Sequence, residues 1–207
     1  MAKAQGLGLY ALSFDYGQRH DRELESARRV GEALGVAEHR VLKVPVGDLG
    51  GSALTDDAID VPDAPVGDAI GASIPSTYVP GRNTVFLSLA LSYAEVVDAG
   101  SIWLGINAMD YSGYPDCRPE YLDAMQRVAD LATKQGIEGG GPRLEAPLVQ
   151  MTKADIVRAA IQHDAPLQHT WSCYRGGDAP CGTCESCVLR RRGFTEAGHE
   201  DPAEVSA

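Results

Sequence analysis

The chain has 207 residues, 44% of them hydrophobic and 23% charged, and carries a formal net charge of −11. That length and composition predict one globular domain with a sizeable core. The acidic balance argues against a nucleic acid as partner. No run of about 18 apolar residues occurs, so no membrane span is expected. The opening residues lack the apolar centre of a signal peptide, and a cytoplasmic home is expected. No repeat or low-complexity tract is present.

In chain order, Met1-Ala-Lys-Ala-Gln5 reads as the end of a helix closed by Gly6. Leu9-Tyr-Ala-Leu-Ser-Phe14 is a near-continuous apolar run, as in a strand covered on both faces. It runs into the polar loop Asp15-Tyr16-Gly17-Gln18, at the strand end where open α/β sheets bind ligands. Leu24, Ala27, Val30 and Leu34 recur at helical spacing between Asp21 and Gly35. Arg40 to Val44 predicts the next strand. Residues Pro45 to Pro80 form a long irregular stretch with Pro62, Pro65 and Pro75, the mark of a lid, a binding loop or a disordered segment. Its aspartates read as solvated surface.

Tyr78-Val-Pro-Gly-Arg-Asn83 opens a helix whose apolar face is read as Val85, Phe86, Leu89, Ala90, Tyr93, Ala94 and Val97. Arg82 and Asn83 stand at its N-terminus, where backbone N–H groups favour anions. Ser101 to Ile106 predicts another strand, followed by the polar, aromatic loop 107–118. Pro119 suits the first position of a helix expected to bury Tyr121, Met125, Val128 and Ala132. Arg143 to Pro147 is a short strand. Thr152 is placed as N-cap of the next helix, with Asp155 in its first turn. The alternation predicts an α/β fold, a parallel sheet with helices on both faces.

Four of the five cysteines fall between Cys173 and Cys187, with Cys181, Cys184 and Cys187 spaced Cys-x-x-Cys-x-x-Cys. Thiolates at this spacing, among Gly176, Gly177, Pro180 and Gly182, can converge on one tetrahedral zinc. Two disulfides and an iron–sulfur cluster are the competing readings. Four thiolates would close the coordination shell and make such a zinc structural. Arg190-Arg191-Arg192 could form a local basic patch, but is read as the last turn of a helix. Of the histidines, His20 is a candidate site residue, whereas His39, His163 and His199 read as surface.

Five stretches resemble the 7-cyano-7-deazaguanine synthase family: Ser13-Phe-Asp-Tyr-Gly-Gln-Arg-His20, Tyr78-Val-Pro-Gly-Arg-Asn83, Asn107 to Pro119, Thr152-Lys-Ala-Asp155, and Thr170-Trp-Ser-Cys173 with the cysteine run. The resemblance covers nearly the whole chain. It implies a PP-loop ATP pyrophosphatase with an adenine-nucleotide α-hydrolase-like, Rossmann-like fold, one domain over 1–207 that includes a zinc knuckle at 173–187. The implied reaction converts 7-carboxy-7-deazaguanine and ammonia to 7-cyano-7-deazaguanine, on the route to queuosine, through an adenylated intermediate. ATP is the implied co-substrate, with magnesium. One zinc is implied on Cys173, Cys181, Cys184 and Cys187, and a homodimer is left open.

The residues can be read against that chemistry. Asp15, Tyr16, Arg82, Asn83 and Lys153 are candidate nucleotide contacts. Arg82 and Asn83 read equally as helix-capping residues, and Lys153 as an exposed helix-start lysine. Asp110, Tyr111, Tyr114 and Asp116 are candidates to read the deazaguanine, against an ordinary polar turn. Cys117 is given no nucleophilic role, and no catalytic residue is assigned.

One feature of the family is missing. Its Ser-Gly-Gly-x-Asp-Ser phosphate loop does not occur in these 207 residues. The expectation is that the N-terminal strand, phosphate loop and most of the first helix lie outside the chain as given, through a start at an internal Met. A truncated chain of weak activity, an inactive zinc-stabilised remnant or deazaguanine-binding protein, and another PP-loop amidating enzyme are the alternatives.

Overall fold

The computed structural model describes residues 1–65, 73–108 and 113–205. Parallel strands alternate with helices in an α/β fold. The described residues fall into two compact units. The first draws on Met1–Ile70, Ser76–Val79 and Thr152–Ala207, the second on Gly71–Pro75 and Pro80–Met151.

In the first unit, a 3-10 turn over Lys3–Gln5 is closed by Gly6, whose N–H donates to the Lys3 carbonyl. Strand β1 (Tyr10–Asp15) pairs parallel with β2 (Glu38–Lys43), Tyr10 opposite Glu38 and Asp15 opposite Lys43. Helix α1 (Arg22–Leu34) makes the crossover, buries Leu24 and ends at left-handed Gly35. The apolar run of β1 predicts a strand covered on both faces. Instead Tyr10 is exposed and the rest are partly buried, because among the described residues β1 pairs with β2 alone.

His39, read as a surface residue, is half-buried. Its Nε2 is hydrogen-bonded to Ser13 Oγ at 2.8 Å. Burial first, and the Arg28 charge second, hold its pKa below the usual 6.5.

Helices α5 (Lys153–Gln162), α6 (Glu185–Ala197) and α7 (Pro202–Val205) complete this unit. Gly193 of α6 lies so close to α5 that a Cβ there would come within 2.8 Å of Lys153 Cβ. The arginine triplet sits inside α6, not in its last turn, because the helix runs on to Ala197. Arg190 turns inward and pairs with both carboxylate oxygens of buried Asp201. Its Nη1 donates to Thr170 Oγ1 and Ser172 Oγ.

The stretch read as a lid, loop or disorder is irregular apart from a 3-10 turn at Gly47–Leu49, and packed at several points although Leu49 and Ile74 are exposed. Ser52, Ala53, Leu54, Val61, Thr77 and Val79 are all buried. Gly47 passes so near the end of β1 that a Cβ would stand 2.6 Å from the Tyr16 carbonyl. Side chains and loop carbonyls satisfy its backbone, which periodicity does not reveal.

The second unit holds α2 (Arg82–Val96), β3 (Ser101–Trp103), α3 (Pro119–Ala132), α4 (Lys134–Ile137) and β4 (Arg143–Glu145). Strands β3 and β4 pair parallel, with Ile102 opposite Leu144. Leu87 and Leu91 of α2 meet Met125 and Ala129 of α3, flanked by Ile102, Leu104, Tyr121 and Leu144. The buried face of α2 is therefore Leu87, Leu91 and Ala94, while Val85 is exposed. Apolar residues surround this helix, so its phase is illegible from sequence. In α3 the buried pair is Met125 and Ala129, leaving Val128 and Ala132 exposed. Glu95 accepts from the N–H groups of Lys134 and Gln135 at the start of α4.

Candidate metal centre and ligand loops

The Sγ atoms of Cys173, Cys181, Cys184 and Cys187 lie within 4.8 Å of one another. Cys181 and Cys187 are 4.0 Å apart. A tetrahedral zinc with Zn–S bonds of about 2.3 Å needs ligand sulfurs about 3.8 Å apart. The space fits one ion closely. It is tight for a multi-iron cluster, and all four thiols are free of disulfides. The N–H of Cys181 donates to Cys173 Sγ at 3.4 Å, and that of Cys184 to Cys181 Sγ at 3.3 Å. Such bonds favour thiolates, the form that binds metal. Cys184, buried at the N-cap of α6, has its thiol held down to about 4, first by a hydrogen bond from Cys187. Cys187 is pushed up through the same shared proton and by burial. A cation would displace that proton.

The knuckle carries a second layer. Residues Ala53 and Val61 pack with Cys173, Cys184 and Cys187, joined at the edge by Ile59, Trp171 and Tyr174. Asp63 forms an isolated antiparallel bridge with Cys184, and the Ala64 N–H donates to the Thr183 carbonyl at 2.9 Å. Arg175 donates to the Val61 carbonyl, Asp63 Oδ1 and Thr183 Oγ1 at 2.7, 2.9 and 2.7 Å. Hydrogen bonds from Thr183, then from Arg175, hold the Asp63 carboxyl below its usual range. Farther along, Arg19 Nη2 donates to the carbonyls of Asp56 and Ile59 at 2.7 and 2.5 Å.

In the first unit, Asp15 ends β1 with its carboxylate 3.9 Å from Lys43 Nζ. Tyr16 is buried, and its N–H donates to Gln18 Oε1 at 2.8 Å. Lys153 opens α5 just after a full capping box: Thr152 Oγ1 accepts from the Asp155 N–H, and Asp155 accepts from the Thr152 N–H. His20 lies edge-on to Trp171, with ring centroids 6.4 Å apart. Gly176, at φ +67°, backs onto it so closely that a Cβ would come within 2.7 Å of the imidazole.

In the second unit, Arg82 and Asn83 are the first residues of α2, and the anion found at that N-terminus is the protein's own. Asp116 Oδ2 accepts from the Asn83 N–H at 3.0 Å. The Asn83 side chain returns a bond to the Asp116 carbonyl and one to Cys117 Sγ, each at 3.2 Å. Arg82 lies over the Phe86 ring at 5.9 Å. Tyr114, half-buried, precedes the 3-10 turn Pro115–Cys117 and accepts from the Cys117 N–H. Asp110 and Tyr111 lie outside the described residues.

Three positioning side chains have no forecast in the sequence reading. Asn107 Nδ2 donates to the carbonyls of Leu148 and Met151, fixing the loop before α5. Arg19 and Arg175 bind carbonyls of residues 56–61. Their one sequence signal is position: a polar residue in or beside the loop that follows a strand, or inside the metal loop.

The sequence comparisons bear on the whole chain. The model of the family described as "Queuosine biosynthesis protein QueC" matches residues 1–198. A relative from Pseudomonas putida named 7-cyano-7-deazaguanine synthase is 56% identical over 204 residues, 98% of this chain and 89% of its own. Relatives of the same name from Pseudomonas fluorescens and Trichodesmium erythraeum are 54% and 51% identical, covering 98% and 97% of this chain and 89% and 90% of theirs. With a family match of this extent, and relatives of this identity named 7-cyano-7-deazaguanine synthase, the chain belongs to the QueC family of queuosine biosynthesis proteins.

Proposed function

We propose that this chain carries the machinery for converting 7-carboxy-7-deazaguanine to 7-cyano-7-deazaguanine with ATP and ammonia, in the cytoplasm. The observation that supports this most is the 56% identity, over 98% of the chain, to a relative named for that product.

The chemistry sets the requirements. A carboxylate becomes a nitrile by losing both oxygens, and each needs a leaving group. The carboxylate attacks the α-phosphorus of ATP, and pyrophosphate departs. Ammonia displaces AMP to give the amide. The amide oxygen is adenylated in turn, and loss of AMP and a proton leaves the nitrile. Pyrophosphate release calls for cations and N–H donors at the phosphates, with magnesium as the bound counter-ion. Lys153 and Arg82 are the proposed cations, and Asp15, Tyr16 and Asn83 further nucleotide contacts. Tyr111 and Tyr114 are proposed to stack on the deazaguanine, and Asp110 and Asp116 to accept from its edge. Zinc bound by the four thiolates would have no open position and would serve structure.

The Ser-Gly-Gly-x-Asp-Ser loop does not occur in the 207 residues. These residues alone are therefore expected to turn over slowly, and a zinc-stabilised protein that binds the deazaguanine without catalysis is the second reading. The test incubates the purified chain with 7-carboxy-7-deazaguanine, ATP, magnesium and ammonium, and follows nitrile and AMP by mass spectrometry. A parallel sample carries the phosphate-loop segment of a related synthase at its N-terminus. Nitrile from the extended chain, with two AMP per product, supports the reading. No nitrile from either chain sinks it, and full-rate turnover by the 207 residues removes the proposed need for that loop.

A further inference from the structure

The segment 52–65 has no regular secondary structure. Its internal order consists of short turns, the N–H groups of Thr55 and Asp56 both donating to the Ser52 carbonyl. Besides the Ala53 N–H, which donates to the Ser76 carbonyl at 2.7 Å, two places hold it. At one end the metal knuckle takes it through Arg175, the Asp63–Cys184 bridge, and the packing of Ala53 and Val61 on three of the thiols. At the other, Arg19 holds the carbonyls of Asp56 and Ile59, and its own N–H donates to the Leu54 carbonyl. Arg19 follows the β1-end loop by one residue. The segment is thus a physical link between the cysteine set and that loop.

We infer that Arg175 is a positioning residue that couples metal occupancy of the knuckle to the order of residues 52–65, and through Arg19 to the loop after β1. Four thiolates around one cation are held together by it. Without the cation they repel, or keep protons that enlarge the cluster, and the knuckle backbone opens. Arg175 stands two residues after Cys173, and its guanidinium spans Thr183 inside the knuckle and Val61 and Asp63 outside it. Movement of the knuckle therefore withdraws two bonds from the segment together, one to the Val61 carbonyl and one charge-assisted to Asp63. The segment has little local structure with which to resist. This inference rests on the metal reading of the four cysteines but not on the synthase reaction.

Amide hydrogen exchange on the full chain tests it, with zinc measured on each sample. In the zinc-loaded chain the Ala64, Ile59 and Arg19 N–H groups are protected. Arg175→Ala is expected to keep one zinc per chain yet speed exchange at these three positions by about tenfold or more. Arg175→Lys, which keeps charge but not the fork, should fall between. The β1–β2 ladder should be unchanged in both variants. Unaltered exchange at Ala64 and Ile59 in zinc-loaded Arg175→Ala overturns the proposal. Loss of zinc from both variants also overturns it, because Arg175 would then support the metal site and not transmit from it. A wild-type chain that binds no metal removes the reading on which the coupling rests.

Discussion

Asp116 and Asn83 form a reciprocal pair: the Asn83 backbone N–H donates to the Asp116 carboxylate, and the Asn83 side chain donates back to the Asp116 carbonyl. The carboxylate is buried and placed where the α2 dipole is positive. It does for α2 what a local N-cap does elsewhere, since Gly81 offers no capping side chain. Asp116→Ala is expected to lower stability by about 1–2 kcal/mol in urea titration. Asp116→Asn, which keeps an acceptor, should recover part of that. A stability change below experimental error for Asp116→Ala would show that water caps α2 equally well.

The buried ion pair of the first unit has a different environment. Arg190 and Asp201 meet with side chains only 16% and 4% exposed. Removing the anion leaves the guanidinium with two neutral hydroxyls, Thr170 and Ser172. Asp201→Ala and Arg190→Met should each cost about 3 kcal/mol, because either leaves the other charge buried and unpaired, and the double variant should cost less than the sum of the two. Costs that simply add in the double variant would place the loss in packing and not in a stranded charge.

His39 gives a pH dependence of known sign. Its folded pKa lies below its unfolded value of 6.5 through burial and, second, Arg28. Between those two values the unfolded chain binds more protons, so stability rises with pH. The contribution is full above about pH 6.5 and is lost as pH falls through the folded pKa. Thermal melts from pH 7.5 to 5 should show this decline, and His39→Gln should flatten it. An unchanged slope in the variant would assign the effect to other groups.

What could be read in advance was local. The Thr152 N-cap and the convergence of the cysteines each rest on short-range spacing, and both form as expected, whereas the return bond that makes Asp155 half of a capping box has no forecast. Helix phase failed in α2, where apolar residues on all sides leave Leu87 and Leu91 indistinguishable from Val85. Asn83 and Asp116 are 33 residues apart and Arg175 and Asp63 are 112 apart, so nothing local marks either pair. The order of residues 52–65 was hidden for the same reason. Its partners are side chains from the knuckle and from Arg19, not a repeating backbone pattern.

The metal centre separates by single substitutions. Cys184 is fully buried, N-caps α6, and touches both the other thiols and Asp63. Cys184→Ser is expected to weaken zinc binding at least about a hundredfold, since a hydroxyl is a poor ligand for a site built from thiolates. Cys117 is the fifth cysteine, buried beside Asn83 and outside the cluster. Cys117→Ser should keep one zinc per chain. Metal analysis after dialysis, with a visible spectrum of each sample, makes the comparison. Visible charge-transfer bands with sulfide present would replace zinc by an iron–sulfur cluster. Zinc retained equally in both variants would mean that the metal does not sit among the four knuckle cysteines. With the expected result, a chelator strong enough to strip zinc should lower the melting temperature of the wild type and leave that of Cys184→Ser nearly unmoved.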